Sequence, residues 1–507
     1  MKDKKIQVLQ LGATNWTESM HPENEFLDWT YLPITSSPEA INDWLKKNKQ
    51  PSVLLLLAPE KYDRLDDILS NATPYRIVYD PKTLVGHHEL QEKLDRAFAL
   101  RMDLSQREVA CYQLTKYFYL PQYGDRLMIK DVYIAPGFAN SATYEGSANL
   151  AFDANFGHEL KSVASWQINT IAEPRFNHEY WLENTMSRDV HAELTVRLLA
   201  ADTLTIVDQK TVDLAQQDAP FIVASDFVNE YFLSFSLRVR GNGQLRIGNL
   251  HHRRSRGTFG QYILGAKRHV DDDSEELMTY FDPGNLKPPL TVYFSGYRTA
   301  EGFEGYPMMK GLKQPFLLIA DPRLEGGSFY IGSPELEASI VQTIQNALKQ
   351  LGFEKNALIL SGLSMGTFGA LYYASDLEPA AVIVGKPLTN LGNIAANGVL
   401  VRPGEFGTAA DLLLHETGGT TAADVDALNQ KFWQKFRQSS FDHTLFAIAY
   451  MTEDDYDQTA YEDILSELGD GQAVVIGKGI SGRHNDNTGA IIDWFYSQYQ
   501  RIIKINQ

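Results

Sequence analysis

The hydrophobic pattern of this 507-residue chain changes period twice, and those changes restrict the fold more than any single motif. Over residues 1–125 short apolar runs alternate with helical stretches. Across 126–262 a two-residue alternation takes over, and over 263–507 strand and helix signals alternate again. Helices carry a 3.6-residue period and half-buried strands a period of two. The sequence therefore predicts an α/β protein of three units: a small Rossmann-like α/β unit, a β-sandwich, and a large doubly wound unit.

In the first unit IQVLQLG, SVLLLLAPE and YRIVYDP read as buried strands, the first spanning Ile6 to Gly12. SPEAINDWLKKN and YDRLDDILSN read as surface helices, the former opening on a Ser-Pro start signal. The loop LGATNW has one glycine and no G-x-G-x-x-G, so it is read as structural punctuation.

In the second unit HAELTVRLLAADTLTIVDQKTV and YFLSFSLRVRGNGQLRIGNLHH alternate polar and apolar residues. Gly241-Asn242-Gly243 reads as a hairpin turn within the second. A sandwich of this kind is carbohydrate-binding-like, and Trp166, Tyr180 and Trp181 are candidates to stack on sugars. The favoured reading is that they fill the core. HHRRSR at 251–256 reads as a solvated strand end or a contact between units. Adjacent histidines on a strand point to opposite faces and cannot chelate one metal together.

In the third unit LTVYFSG, PFLLIAD, NALILSG, AAVIVG, LFAIAYM and QAVVIGKG read as parallel strands buried on both faces. Ser333 as N-cap, Pro334 at the first position and Gly352 as stop bound a helix. Leu336, Ile340, Ile344, Ala347, Leu348 and Leu351 share its apolar face. The last helix buries Ile491, Trp494, Phe495 and Ile502.

The chemistry lies where NALILSG runs into GLSMG, residues 362–366, and then into TFGALYYASDL. A G-x-S-x-G between strand and helix is a nucleophile elbow, the mark of an α/β-hydrolase fold. Its sharp turn exposes the hydroxyl of Ser364, and Gly362 and Gly366 let strand and helix approach. A serine needs a base held by an acid. The fold's chain order of Ser, acid, His is met by Ser364, Asp454 after LFAIAYM, and His484 after QAVVIGKG. Glu453 is the alternative acid, with Asp455 and Asp457 behind it. Asp457 and Glu462 also read as caps of the following helix. The Met365 amide is one expected oxyanion donor; Tyr297, then Arg298, supply the second from the loop after LTVYFSG. His415 and His443 read as structural or exposed.

The charge sum of −18 argues against nucleic acid as a partner. A single cysteine forbids an internal disulfide, which fits a reducing compartment. No apolar run approaches the ~20 residues of a membrane span. The N-terminus lacks a signal-peptide pattern. The expected location is the cytoplasm, with a peripheral place at the inner face of the membrane left open. No cluster has metal-ligand spacing, so no metal or cofactor is expected.

Taken with the sandwich ending in LRIGNLHHRRSR, the segments LTVYFSGYR, GLSMG, MTEDDYD and GISGRHND give the chain a resemblance to a known family. It resembles the second Asp proteins of the accessory Sec system, which exports serine-rich repeat adhesins, over nearly its whole length. The resemblance implies a Ser-dependent O-acetyltransferase acting on N-acetylglucosamine of the glycosylated adhesin. It also implies a complex with the first and third accessory Sec proteins and cooperation with the accessory Sec motor ATPase. Matching by motif makes Ser364 the nucleophile and His484 the base, with the acid at Asp454 or Glu453. A glycan esterase or deacetylase is the alternative chemistry, and a largely non-catalytic export scaffold the alternative role.

Overall fold

The computed structural model describes residues 5–17, 26–47, 52–62, 65–70, 72–225, 228–400, 406–469 and 471–505. Its first sheet has five strands in the order Leu27–Pro33, Ile6–Gly12, Ser52–Leu56, Ile77–Tyr79, Leu100–Arg101. All neighbours run parallel. The three inner strands are the expected ones, because only strands buried on both faces read as unbroken apolar runs. The two edge strands carry no such signal: LDWTYLP is largely half-exposed and interrupted by Asp28, and Leu100–Arg101 has two residues. Helix Pro38–Lys47 forms as expected and buries Ile41, whereas the next is only Leu65–Leu69.

The second sheet is antiparallel, ten-stranded, and built on one strand, Tyr231–Arg254, of 24 residues. Gly241-Asn242-Gly243 is no hairpin turn, contrary to the sequence expectation. The strand continues through it, pairing first with Val190–Ala200 and then with His178–Met186. Its other side pairs with Asn149–Trp166, whose register slips around Gly241. Gly241 and Gly243 sit at φ 105° and 140°, so the glycines serve a bulge that bends the strand. The bend lets both arms enclose one core containing Leu150, Phe152, Val196, Phe235 and Ile247. Trp166 and Tyr180 lie in that core and Trp181 is buried beneath Arg268, so none of the three offers a sugar platform.

The third sheet has eight strands, in the order Lys267–Val270, Glu276–Asp282, Phe316–Ala320, Leu290–Phe294, Leu358–Leu363, Ala381–Gly385, Leu445–Met451, Val474–Ile480. Only Glu276–Asp282 runs against the others. That single crossed order after two leading strands is the α/β-hydrolase arrangement. The six expected strands are present; the two leading ones, rich in charge, were not foreseen. Val474–Ile480 is the sheet edge and largely exposed, so it is not buried on both faces as expected. Helix Pro334–Leu351 starts with the Leu336 amide donating to Ser333 Oγ and stops at Gly352 in the left-handed conformation. Helix Thr488–Ile505 covers the opposite face through Ile491, Phe495 and Ile502, with Trp494 half-buried. Between the Ala381–Gly385 and Leu445–Met451 strands stand helices Leu391–Leu400, Thr408–Thr417 and Ala422–Phe436.

HHRRSR is not a solvated strand end: His251, His252, Arg253 and Arg256 are all buried, and the segment joins units. Its histidines do face apart. His252 packs on His178, with ring nitrogens 2.8 Å apart. His251 lies between Glu301, at 2.6 Å, and Glu183, at 3.0 Å. Glu301 also accepts from Arg253 Nε and from the Tyr262 hydroxyl, each at 2.8 Å. Arg253 reaches onward to Glu276 in the third sheet. Burial opposes charge on His251, yet Glu301 and Glu183 overcome it and hold its pKa up at about 9. Burial likewise opposes charge on Glu301, which His251 and Arg253 nevertheless keep well below the usual carboxylate range.

Two outcomes follow from this buried cluster. Glu301→Gln leaves His251 and Arg253 short of an anion and should destabilise the protein by about 3–5 kcal/mol in chemical denaturation. His251, with its folded pKa raised, contributes stability that is full below its unfolded value near ~6.5 and is lost as pH rises through about 9. The wild-type Tm should therefore fall between pH 6.5 and 9, and fall less in His251→Gln; an equal fall in both would exclude the linkage.

Candidate active site

Three strand ends of the third sheet meet at one point. The Leu358–Leu363 strand turns at Ser364, with φ 51° and ψ −120°, directly into helix Met365–Tyr372. A serine in this sparsely populated region costs about 1–3 kcal/mol and persists only where its surroundings hold it. Here the Ser364 amide donates to Gly385 O at 2.9 Å, and Thr367 donates its amide and hydroxyl back to Ser364 O. A Cβ on Gly362 would strike the Gly366 carbonyl, and one on Gly366 the carbonyl of Phe294. Both glycines are thus fixed by close backbone approach.

Ser364 Oγ lies 2.8 Å from His484 Nε2, and His484 Nδ1 lies 2.8 Å from Asp454 Oδ2. An ionised carboxylate only accepts, so Nδ1 carries the proton and Nε2 is left to accept from the serine hydroxyl. His484 and Asp454 are both buried. The other Asp454 oxygen accepts from the Tyr456 amide at 2.8 Å, which fixes the carboxylate. The Asp455 side chain accepts from the His484 backbone amide at 3.0 Å, and the Tyr456 ring sits 4.3 Å from the imidazole.

Glu453, the alternative acid, does not reach the imidazole. Its carboxylate accepts from the Gly482 amide and from Thr452 Oγ1, pinning the acid-bearing turn to the histidine-bearing turn. Asp457 does not cap the helix that follows it. It is buried and accepts from the Thr389 and Asn390 amides, at 2.7 and 2.8 Å, at the start of helix Leu391–Leu400. Glu462 lies in the first turn of helix Ala460–Leu468 and lines a cavity beside Asp454. His415 pairs with Glu275 at 2.8 Å, which overcomes its burial and raises its pKa to about 9; His443 is exposed.

The loop after Leu290–Phe294 carries the second expected donor. Glu304 accepts the Gly296 amide at 2.6 Å, so that N–H is already used. Among the described residues neither the Tyr297 nor the Met365 amide has an acceptor. The Arg298 guanidinium is turned inward onto the Phe303 carbonyl at 2.8 Å and braces the loop. The same loop continues to Glu301 in the interunit cluster. The Tyr297, Phe406, Phe329 and Tyr456 rings form a contiguous wall that reaches His484 through Tyr456, with centroids 5.2 to 6.0 Å apart.

Sequence reasoning passed over Lys386. It follows the Ala381–Gly385 strand in the left-handed conformation and is buried, with Nζ 3.5 Å from Thr488 Oγ1. Burial lowers its pKa, against the pull of Asp454 and Glu304. A lysine after an apolar strand belongs to no motif, so only the packing marks it out. Among the described residues no group of His, Cys, Asp and Glu is arranged to hold a metal. No described helix is long and apolar enough to cross a membrane.

Comparison with known proteins agrees with this architecture over the whole chain. The family model of the accessory Sec system GspB-transporter matches residues 6–507. The chain is 39% identical over 509 residues to the second Asp protein of the accessory Sec system of Staphylococcus aureus (strain NCTC 8325 / PS 47), covering 99% of this chain and 97% of that protein. Identity to the counterpart in Streptococcus gordonii is 39% over 513 residues, covering 99% and 98%. Among solved structures, a chain of the Glycosylation Associate Protein (Gap123) complex from Streptococcus agalactiae superposes with a TM-score of 0.90 at 35% identity, covering 99% of this chain and 98% of that one. The chain therefore belongs to the accessory Sec system GspB-transporter family, that of the second Asp proteins.

Proposed function

We propose that this chain is a serine-dependent O-acetyltransferase acting on N-acetylglucosamine of glycosylated serine-rich adhesins, working within an accessory Sec complex. The observation that carries the reading is the relay from Ser364 through His484 to Asp454, with 2.8 Å at each link. The acceptor sugar and the adhesin come from the family resemblance. The likeness to a chain of a Gap123 complex supports assembly with the first and third accessory Sec proteins. Cooperation with the motor ATPase and a cytoplasmic site of action belong to the same proposal.

Ser364 Oγ attacks the carbonyl of an acetyl ester or thioester while His484 Nε2 takes its proton. Asp454 stabilises the imidazolium that forms. The Met365 and Tyr297 amides donate to the oxyanion, and its collapse sends the His484 proton to the leaving group. A sugar hydroxyl then attacks the acetyl-serine, passes its proton to His484, and leaves as the acetyl ester with Ser364 regenerated. The aromatic wall, which reaches the catalytic imidazole through Tyr456, supports sugar over water as acceptor.

A fluorophosphonate probe should label the wild type and fail to label Ser364→Ala or His484→Ala. Wild type left unlabelled, both alone and with its partner proteins, would favour the scaffold role. Asp454→Asn should lower acetyl transfer by on the order of 10⁴-fold, as removal of the orienting acid does in other triads. Glu453→Gln should lower activity by less than about tenfold, because the side chain ties the two turns together without touching the base and the glutamine oxygen still accepts from the Gly482 amide. Acetate release without sugar acetylation, followed by mass spectrometry, would identify an esterase instead.

A further inference from the structure

Beyond the serine site, an open groove on the antiparallel sheet has a volume of about 410 Å³, within the range of small-ligand sites. It lies on the sheet's outer face beside the Gly241–Gly243 bend. Four strands build it in register: Thr143 stands opposite Ala151, Ala151 opposite Arg246, and Arg246 opposite Thr185. In an adjacent row Asp153 stands opposite Gln244. The intervening Phe152 and Leu245 point into the core, so the floor is rigid and every second side chain faces the groove.

Polar side chains of the lining are already paired. Arg246 Nε donates to Glu145 Oε2 at 2.7 Å, Gln244 Nε2 donates to Asp153 Oδ2 at 3.3 Å, and Ser187 Oγ accepts the Gln244 amide at 2.9 Å. Planar amide, carboxylate and guanidinium groups held in rows match the vicinal hydroxyls and acetamido groups of a sugar. Glu145 and Asp153 outnumber the single cation Arg246, which makes the groove a poor host for a polyanion.

Position links the groove to the serine. Ser147, two residues beyond Glu145, donates its amide to Asp411 Oδ1 at 2.8 Å. Asp411 belongs to helix Thr408–Thr417, and Phe406 just before that helix is part of the aromatic wall. We infer that this groove is a second, non-catalytic site for a neutral, N-acetylglucosamine-bearing glycan, holding the acceptor polymer while another of its sugars occupies the serine site. The inference rests on the glycan-acceptor reading above and adds residues to which that reading assigns nothing.

The test uses the full chain with Ser364→Ala, which separates binding from chemistry. The probe is a synthetic serine-rich peptide carrying N-acetylglucosamine, with the bare peptide as control, followed by calorimetry. The glycopeptide should bind in preference to the bare peptide, and Asp153→Ala with Gln244→Ala should weaken it by roughly tenfold or more. On the Ser364 background that pair should keep fluorophosphonate labelling and Tm unchanged while raising KM for the glycopeptide. Equal binding of both peptides, binding unaffected by the pair, or no binding by folded protein would each overturn the inference. Loss of binding in the pair, in a protein that transfers no acetyl group, would leave the groove standing and remove the transferase reading.

Discussion

Glu301 accepts from His251, Arg253 and Tyr262 at once, within a cluster from which water is almost excluded. A buried carboxylate with one partner missing is costly, so the cluster tolerates essentially one arrangement of the segments that bring these groups together. Those segments are the end of the long bent strand, the tight turn at Tyr262, and the loop that also carries Tyr297. The loop beside the serine is therefore held from the antiparallel sheet. That sheet forms part of the scaffold of the site and is more than an attached binding unit.

At the serine the constraint is conformational strain. Ser364 keeps its unfavourable backbone angles because Gly385, Thr367 and the close-packed glycines leave nowhere else for the turn to go. The histidine and the acid come from two separate turns, which Glu453 and Asp455 tie to each other through the Gly482 and His484 amides. The acidic run after Met451 thereby divides its labour. Asp454 orients the imidazole, its neighbours on either side fix the turns, and Asp457 anchors the inserted helices through Thr389 and Asn390.

Four carboxylates within the five residues 453–457 bear on one site and are not sorted by spacing, because a carboxylate's role depends on the donor it meets. Distance from the strand end favours Asp454, and the structure brings it to the imidazole. Glu453 was indistinguishable in type. The histidine pair at 251–252 shows the same limit: alternation predicted opposite faces, while burial of both faces was invisible. Gly241-Asn242-Gly243 misled because glycine permits a bulge and a hairpin alike, and only the partners of the flanking residues choose between them.

What the sequence determined by itself is what depends on near neighbours along the chain. Apolar runs of strand length, helix caps at Ser333 and Gly352, and the G-x-S-x-G elbow each express sterics within a few residues. They sufficed to place six strands of the third sheet and the Ser–acid–His chain order, and to nominate Ser364 and His484. Tertiary structure alone decided which charges share the interior, as with Glu301 and His251, 50 residues apart. It alone also buried Lys386 beside Thr488 and lined up Asp153 with Gln244. The physical reason is that burying a charge or opening a polar groove is a property of surfaces brought together, and no local pattern records which surfaces those will be.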